Sequence, residues 1–134
     1  MAYGTINVDT LTASTGVLAT QNGMTGIAKA WVNFNGTTPT INASFNVGSI
    51  TKNGTGDYTL NFTTAMSNAN YAPVLTGGTV NSTNFVGSFF ILCTSLTSGA
   101  TTKTTSALRV VYGSSQNPTS YLDQAELNVT IFGA

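Results

Sequence analysis

The chain has 134 residues, enough for one domain with its own core, and carries four basic residues, four acidic residues and no histidine. Charged residues make up 6%, against roughly 25% in ordinary soluble domains, so clustered cations for nucleic-acid phosphate or anionic lipid are excluded. With 41% hydrophobic residues the chain can still build a core, and a surface this neutral suits a protein that works inside an assembly.

Residues 1–26 open with one alternating stretch, Ile6, Val8 and Thr10 against Asn7 and Asp9, then run from Thr12 to Gly26 with isolated apolar residues only. Such a segment buries too little to fold alone, and is expected to be an extended arm that orders against a neighbour. It has neither the basic start nor the apolar core of a signal peptide, and no apolar run in the chain approaches the ~18 residues of a membrane span. Synthesis in a cytoplasm, without membrane insertion, is therefore expected.

Over residues 27–34, Ala28, Ala30, Val32 and Phe34 alternate with Ile27, Lys29, Trp31 and Asn33. Apolar groups on both faces predict a central strand or one lying under a subunit interface. Ile27 and Trp31 are the candidate interface residues, although a Trp in the chain's own core gives the same pattern. Asn35 to Pro39 break the strand. Ala43, Phe45 and Val47 then share one face, and beyond Asn53-Gly54 the residues Tyr58, Leu60 and Phe62 alternate with Asp57, Thr59, Asn61 and Thr63. Two alternating runs around Asn-Gly predict a hairpin, with Asn53-Gly54 as the reversal and Thr55-Gly56 as a bulge or extension. Gly54 is thus the glycine on which folding is expected to depend.

Residues 71–76 predict a further strand, which Pro73 moves to an edge or bulge. Residues 84–96 are the most hydrophobic run, with Gly87 as a bend and Cys93 inside it. A lone cysteine allows no intrachain disulfide, and a buried thiol is expected. Over 104–112, Leu108, Val110 and Tyr112 oppose Ala107, Arg109 and Val111; residues 113–124 form a polar loop, and 125–132 alternate as a last strand. No window keeps a helical period. The expected fold is all-β: an antiparallel, jelly-roll-like β-sandwich of seven to eight strands over 27–134, with the arm 1–26 outside it.

Catalytic chemistry finds little support. Asp123 and Glu126 are close enough in sequence to suggest a glycosidase pair, but one falls in a loop and the other at a strand start, and both are read as solvated carboxylates. Gly54-Thr55-Gly56 opens a strand, not a helix, so it is no phosphate loop. Asp57 stands alone, without the ligand cluster of a metal site. No enzyme, metal or cofactor is expected. The Asn-X-Ser/Thr triplets, among them Asn35-Gly36-Thr37, follow from composition and are not read as glycan acceptors.

The segments KAWVNFNG (29–36), SFNVGSIT (44–51), NGTGDYTLNFTTAM (53–66) and NANYAPV (68–74) together resemble a module common in tailed-bacteriophage genomes. That module occurs in short stand-alone virion proteins and near the ends of tail fibres. The resemblance covers roughly residues 29–75, over a third of the chain, and its order and spacing are more specific than any one piece. GTINVDTLTASTG, at the start, resembles N-terminal segments of fibre proteins more weakly. The resemblance implies a non-enzymatic virion protein, a β-sandwich packed as a homotrimer, and carries no binding site with it. Two roles follow as expectations. One is fibre-type attachment to a host surface glycan or protein, with Tyr112, Gln116, Asn117, Ser120 and Tyr121 as the contact group, since amides and hydroxyls hydrogen-bond sugars and an aromatic face stacks on a ring. In the alternative to that contact group, the two tyrosines cap the core. The other role is a capsid cement, decoration or head-fibre protein that clamps its neighbours, tethered to other virion proteins through residues 1–26.

Overall fold

The structure, a computed structural model, describes residues 27–78, 89–92, 102–114 and 121–133. The expected arm, Gly87, Cys93, Gln116, Asn117 and Ser120 lie outside the described residues. Eight strands follow in chain order: β1 Ala28–Asn35, β2 Thr40–Phe45, β3 Val47–Gly54, β4 Asp57–Phe62, β5 Ala72–Gly78, β6 Phe89–Leu92, β7 Ala107–Ser114 and β8 Glu126–Phe132. Among the described residues there is no helix.

The strands form two antiparallel sheets, ordered β2-β1-β8-β5 and β3-β4-β7-β6. Alternation decides which side chains meet between them. Ala30, Val32 and Phe34 of β1 and Leu127, Val129 and Ile131 of β8 point inward from the first sheet. Tyr58 and Leu60 of β4 and Leu108, Val110 and Tyr112 of β7 face them from the second. The Phe34 and Tyr58 rings meet edge to face at 5.3 Å between centroids, across the two sheets. Each fully buried large side chain of this kind contributes about 1.5–3 kcal/mol. The predicted all-β sandwich is therefore present.

Among the described strands the connectivity is not that of a jelly roll. A jelly roll opens with two strands in opposite sheets, whereas the first two described strands, β1 and β2, are neighbours in one sheet. The local reason is the four-residue turn between them, residues 36–39. The Asn35 side-chain oxygen accepts from the Thr37 and Thr38 amides at 2.8 and 3.2 Å, closing the turn tightly enough to keep both strands in one sheet.

The crossing between sheets comes one strand later. β2 and β3 are a single extended run interrupted at Asn46, whose φ of 56° lies in the left-handed region. Asparagine visits that region more readily than most residues. Its side chain holds the corner: Oδ1 accepts from the Thr64 amide at 2.7 Å, and Nδ2 donates to the carbonyls of Lys29 and Thr64 at 3.2 and 3.1 Å. The corner turns the chain over. Phe45 and Val47 thus do not share a face, as their spacing predicts; Phe45 is 37% exposed while Val47 is buried.

The β3–β4 hairpin forms, with its reversal two residues later than predicted. Gly54 ends β3 and pairs with Asp57, the register shifts between Lys52 and Gly54, and Thr55-Gly56 make the turn. Gly56, at φ 67°, is the left-handed residue; Gly54 is not.

Candidate interaction face

The outward residues of the first sheet follow directly from its register. Trp31 lies between Ala30 and Val32, which point inward, so it points out. Across the sheet Phe45, Trp31, Thr130 and Val74 stand opposite one another, one from each strand in the order β2, β1, β8, β5. Directly opposed residues share a face. Trp31, Phe45 and Val74 are 39%, 37% and 54% exposed. The adjacent row is Ala28, Phe132 and Ala72, also apolar. Together these rows make an apolar band across four strands.

On the other side of the band the chemistry changes within one row. Ala43, Asn33, Asn128 and Thr76 are opposed there. Asn42 donates to Asn33 Oδ1 at 2.7 Å, and Asn33 Nδ2 donates to Asn128 Oδ1 at 2.7 Å and to Glu126 Oε1 at 3.3 Å. Asn128 Nδ2 reaches the same Glu126 oxygen at 3.5 Å. The result is a linked strip of amides ending on one carboxylate. No residue of the three rows is charged, and Glu126 is the formal charge of the strip.

The outer face of the second sheet differs, because its polar groups satisfy one another. Asn61 donates to Ser49 Oγ at 3.1 Å and Thr51 Oγ1 at 3.0 Å, and Asn53 donates to Asp57 and Thr59. Arg109 grips Asp57 in two parallel bonds, Nε to Oδ1 at 2.8 Å and NH2 to Oδ2 at 2.7 Å. Asp57 is 2% exposed. Burial pushes its carboxyl up, but Arg109 and Asn53 outweigh that and leave it below the usual carboxylate range. This acid is committed to its arginine.

The residues singled out in the sequence separate on this frame. Trp31 is on the band and is not a core residue. Ile27 is 37% exposed but precedes the ladder, and the register shift between Ala28 and Ala30 leaves it outside the Trp31 row. Tyr112 is 2% exposed and belongs to the core, so it offers no surface to a receptor; the tyrosine caps the core instead. Tyr121 is half-buried and bridges to Gly113. Asp123 and Glu126 serve different partners. Glu126 ends the amide strip, whereas Asp123 accepts from the Gly56 amide at 2.9 Å, the Tyr58 hydroxyl at 2.6 Å and Lys52 Nζ at 2.6 Å. Burial raises the Asp123 carboxyl, and those three bonds outweigh it and hold it low. The Tyr58 phenol is pushed well above its ordinary value, first by burial and then by the Asp123 carboxylate.

Of the three exposed large apolar side chains on the band, Phe45 and Val74 are those that sequence reasoning missed. Phe45 was hidden by the corner at Asn46, and Val74 by its position in an uneven stretch beside Pro73. No protein-family model, curated protein or solved structure matches the chain.

Proposed function

We propose that this chain is a non-enzymatic structural module of a tailed-bacteriophage particle that works as a homo-oligomer joined through the outer face of its first sheet. The observation that carries the reading is the row Phe45, Trp31, Thr130, Val74, with three large apolar side chains between 37% and 54% exposed. Contiguous exposed apolar surface marks an interaction site, and covering it contributes roughly 25 cal/mol per Å². The occupant is a second copy of the chain. The three uncharged rows give a charged partner nothing to pair with except Glu126 at their edge, and a chain with 6% charged residues has little else to keep such a face soluble. The phage resemblance makes the oligomer a trimer and the particle a virion, with residues 1–26 engaging other virion proteins.

Between the two roles, clamping within the particle has more support than host attachment. Clamping needs an apolar face, which is present. Attachment through the polar loop loses Tyr112, which lies in the core, and of its contact group Tyr121 is half-buried.

Sedimentation velocity on the full chain tests the assembly. One discrete species of three chains is expected at micromolar concentration, and the double substitution Trp31→Ser with Val74→Ser is expected to shift it to single chains with strand content unchanged by circular dichroism. A wild-type chain that sediments as a single copy overturns the reading.

A further inference from the structure

We infer that the strip Asn42–Asn33–Asn128–Glu126 sets the register in which copies of this chain assemble, while the apolar band beside it supplies the adhesion; this rests on the homo-oligomer reading above. The band cannot select a register by itself. Burial of apolar surface is non-directional and scales with area. Trp31, Phe45, Val74 and Phe132 could be covered by a second copy at several offsets or rotations with similar gain.

The strip behaves otherwise, because each amide has a fixed number of bonds to make. An Asn side chain offers two N–H donors and a carbonyl oxygen with two lone pairs. Asn33 spends both donors on Asn128 and Glu126 and accepts from Asn42. Asn42 spends one donor on Asn33, and Asn128 spends one on Glu126. The Asn42 oxygen, one N–H of Asn42 and one N–H of Asn128 therefore remain for a partner. In water they are hydrated. Under a covering copy they must find protein partners or be buried unpaired, which is heavily unfavourable.

Only registers that answer these groups persist. The strip can answer itself, since amides are both donors and acceptors. Glu126 sharpens the choice: a register that brings two of these carboxylates together is disfavoured, and one that sets Glu126 against an amide N–H satisfies both. Internal bonds within the strip also hold each amide in one orientation before assembly, which reduces what is lost on binding. A single polar side chain in an otherwise apolar seam fixes register and copy number in coiled coils by the same physics, at a cost in stability.

The test compares wild type with Asn33→Leu by sedimentation velocity and native mass spectrometry of the full chain. Asn42→Ala serves as a second variant, because Asn42 is exposed on an edge strand and its loss leaves the core untouched. Wild type is expected to give one copy number. Asn33→Leu is expected to associate at least as tightly but to populate two or more copy numbers, and Asn42→Ala to broaden the distribution less. Variants that keep the single wild-type copy number overturn the inference and leave the homo-oligomer reading standing. A wild-type chain that stays single at every concentration overturns both.

Discussion

Two glycines two positions apart behave oppositely at the hairpin tip, and the difference is set by residues far away in sequence. Gly56 donates its amide to Asp123 and accepts from the Tyr112 amide at 2.7 Å. A Cβ there would press on the Tyr112 carbonyl and come within 2.8 Å of the Leu122 nitrogen, on a backbone already at φ 67°. A Cβ on Gly54 would meet nothing within 4 Å. Gly56→Ala is therefore expected to cost at least about 2 kcal/mol, from left-handed strain plus backbone displacement. Gly54→Val, in an extended conformation, is expected to stay within about 0.5 kcal/mol of wild type. Urea unfolding midpoints of the two variants check this, and equal losses would contradict it. That a hairpin sits here was legible from the alternation on either side of it. Which dipeptide turns was not, because Asn-Gly is the stronger local signal and it yields to bonds from Asp123 and Tyr112 that no local pattern contains.

At the scale of the element, the corner at Asn46 decides what the first sheet shows to solvent. The strand alternation of Ala43, Phe45 and Val47 was readable, and its continuation through Asn46 was the natural extrapolation. One left-handed residue inverts it, sending Phe45 outward beside Trp31 and Val47 inward. Asn46 acts through two separable properties, its tolerance of φ 56° and its side-chain bonds to Lys29 and Thr64. Asn46→Gly keeps the first and loses the second; Asn46→Ala loses both. The expected order of stability is wild type, then Asn46→Gly, then Asn46→Ala, with each step about 1 kcal/mol. Thermal or urea unfolding resolves steps of that size. An alanine variant as stable as the glycine variant would show that the backbone strain is absent. The alternation of β1, β4, β7 and β8 carried over into the core almost residue for residue, because their period is not interrupted, although β4 and β7 also bury Asp57 and Val111 on their other face.

For the whole molecule, scarcity of charge makes the few ionic contacts dominate its response to pH. Asp57 is held by Arg109 and Asn53, and Asp123 by Gly56, Lys52 and Tyr58; both carboxyls lie below their usual range in the folded chain. A group whose folded value is depressed contributes stability that is complete above its unfolded value, near 4, and is lost as pH falls through the folded value. Tyr58 works in the other sense. Its raised phenol contributes stability that is complete below about 10 and is lost as pH rises beyond it. With no histidine, no side chain of this sequence has its ordinary value between about pH 5 and 8. The urea midpoint is thus expected to be flat from about pH 5 to 7 and to fall steeply below about pH 4. Replacing both acids, Asp57→Asn with Asp123→Asn, should lower the midpoint at pH 7 and remove most of the acid slope. A wild-type chain that loses stability between pH 5 and 7, or keeps it fully at pH 3, would refute the assignment. Composition alone announced the flat window, since the missing histidine is visible in the sequence. The two acid clamps were not visible, because Asp57 and Arg109 are 52 positions apart and Asp123 meets Tyr58 across 65. Only the pairing of β4 with β7 in one sheet, and the return of the chain over the hairpin tip before β8, brings each carboxylate to its partners.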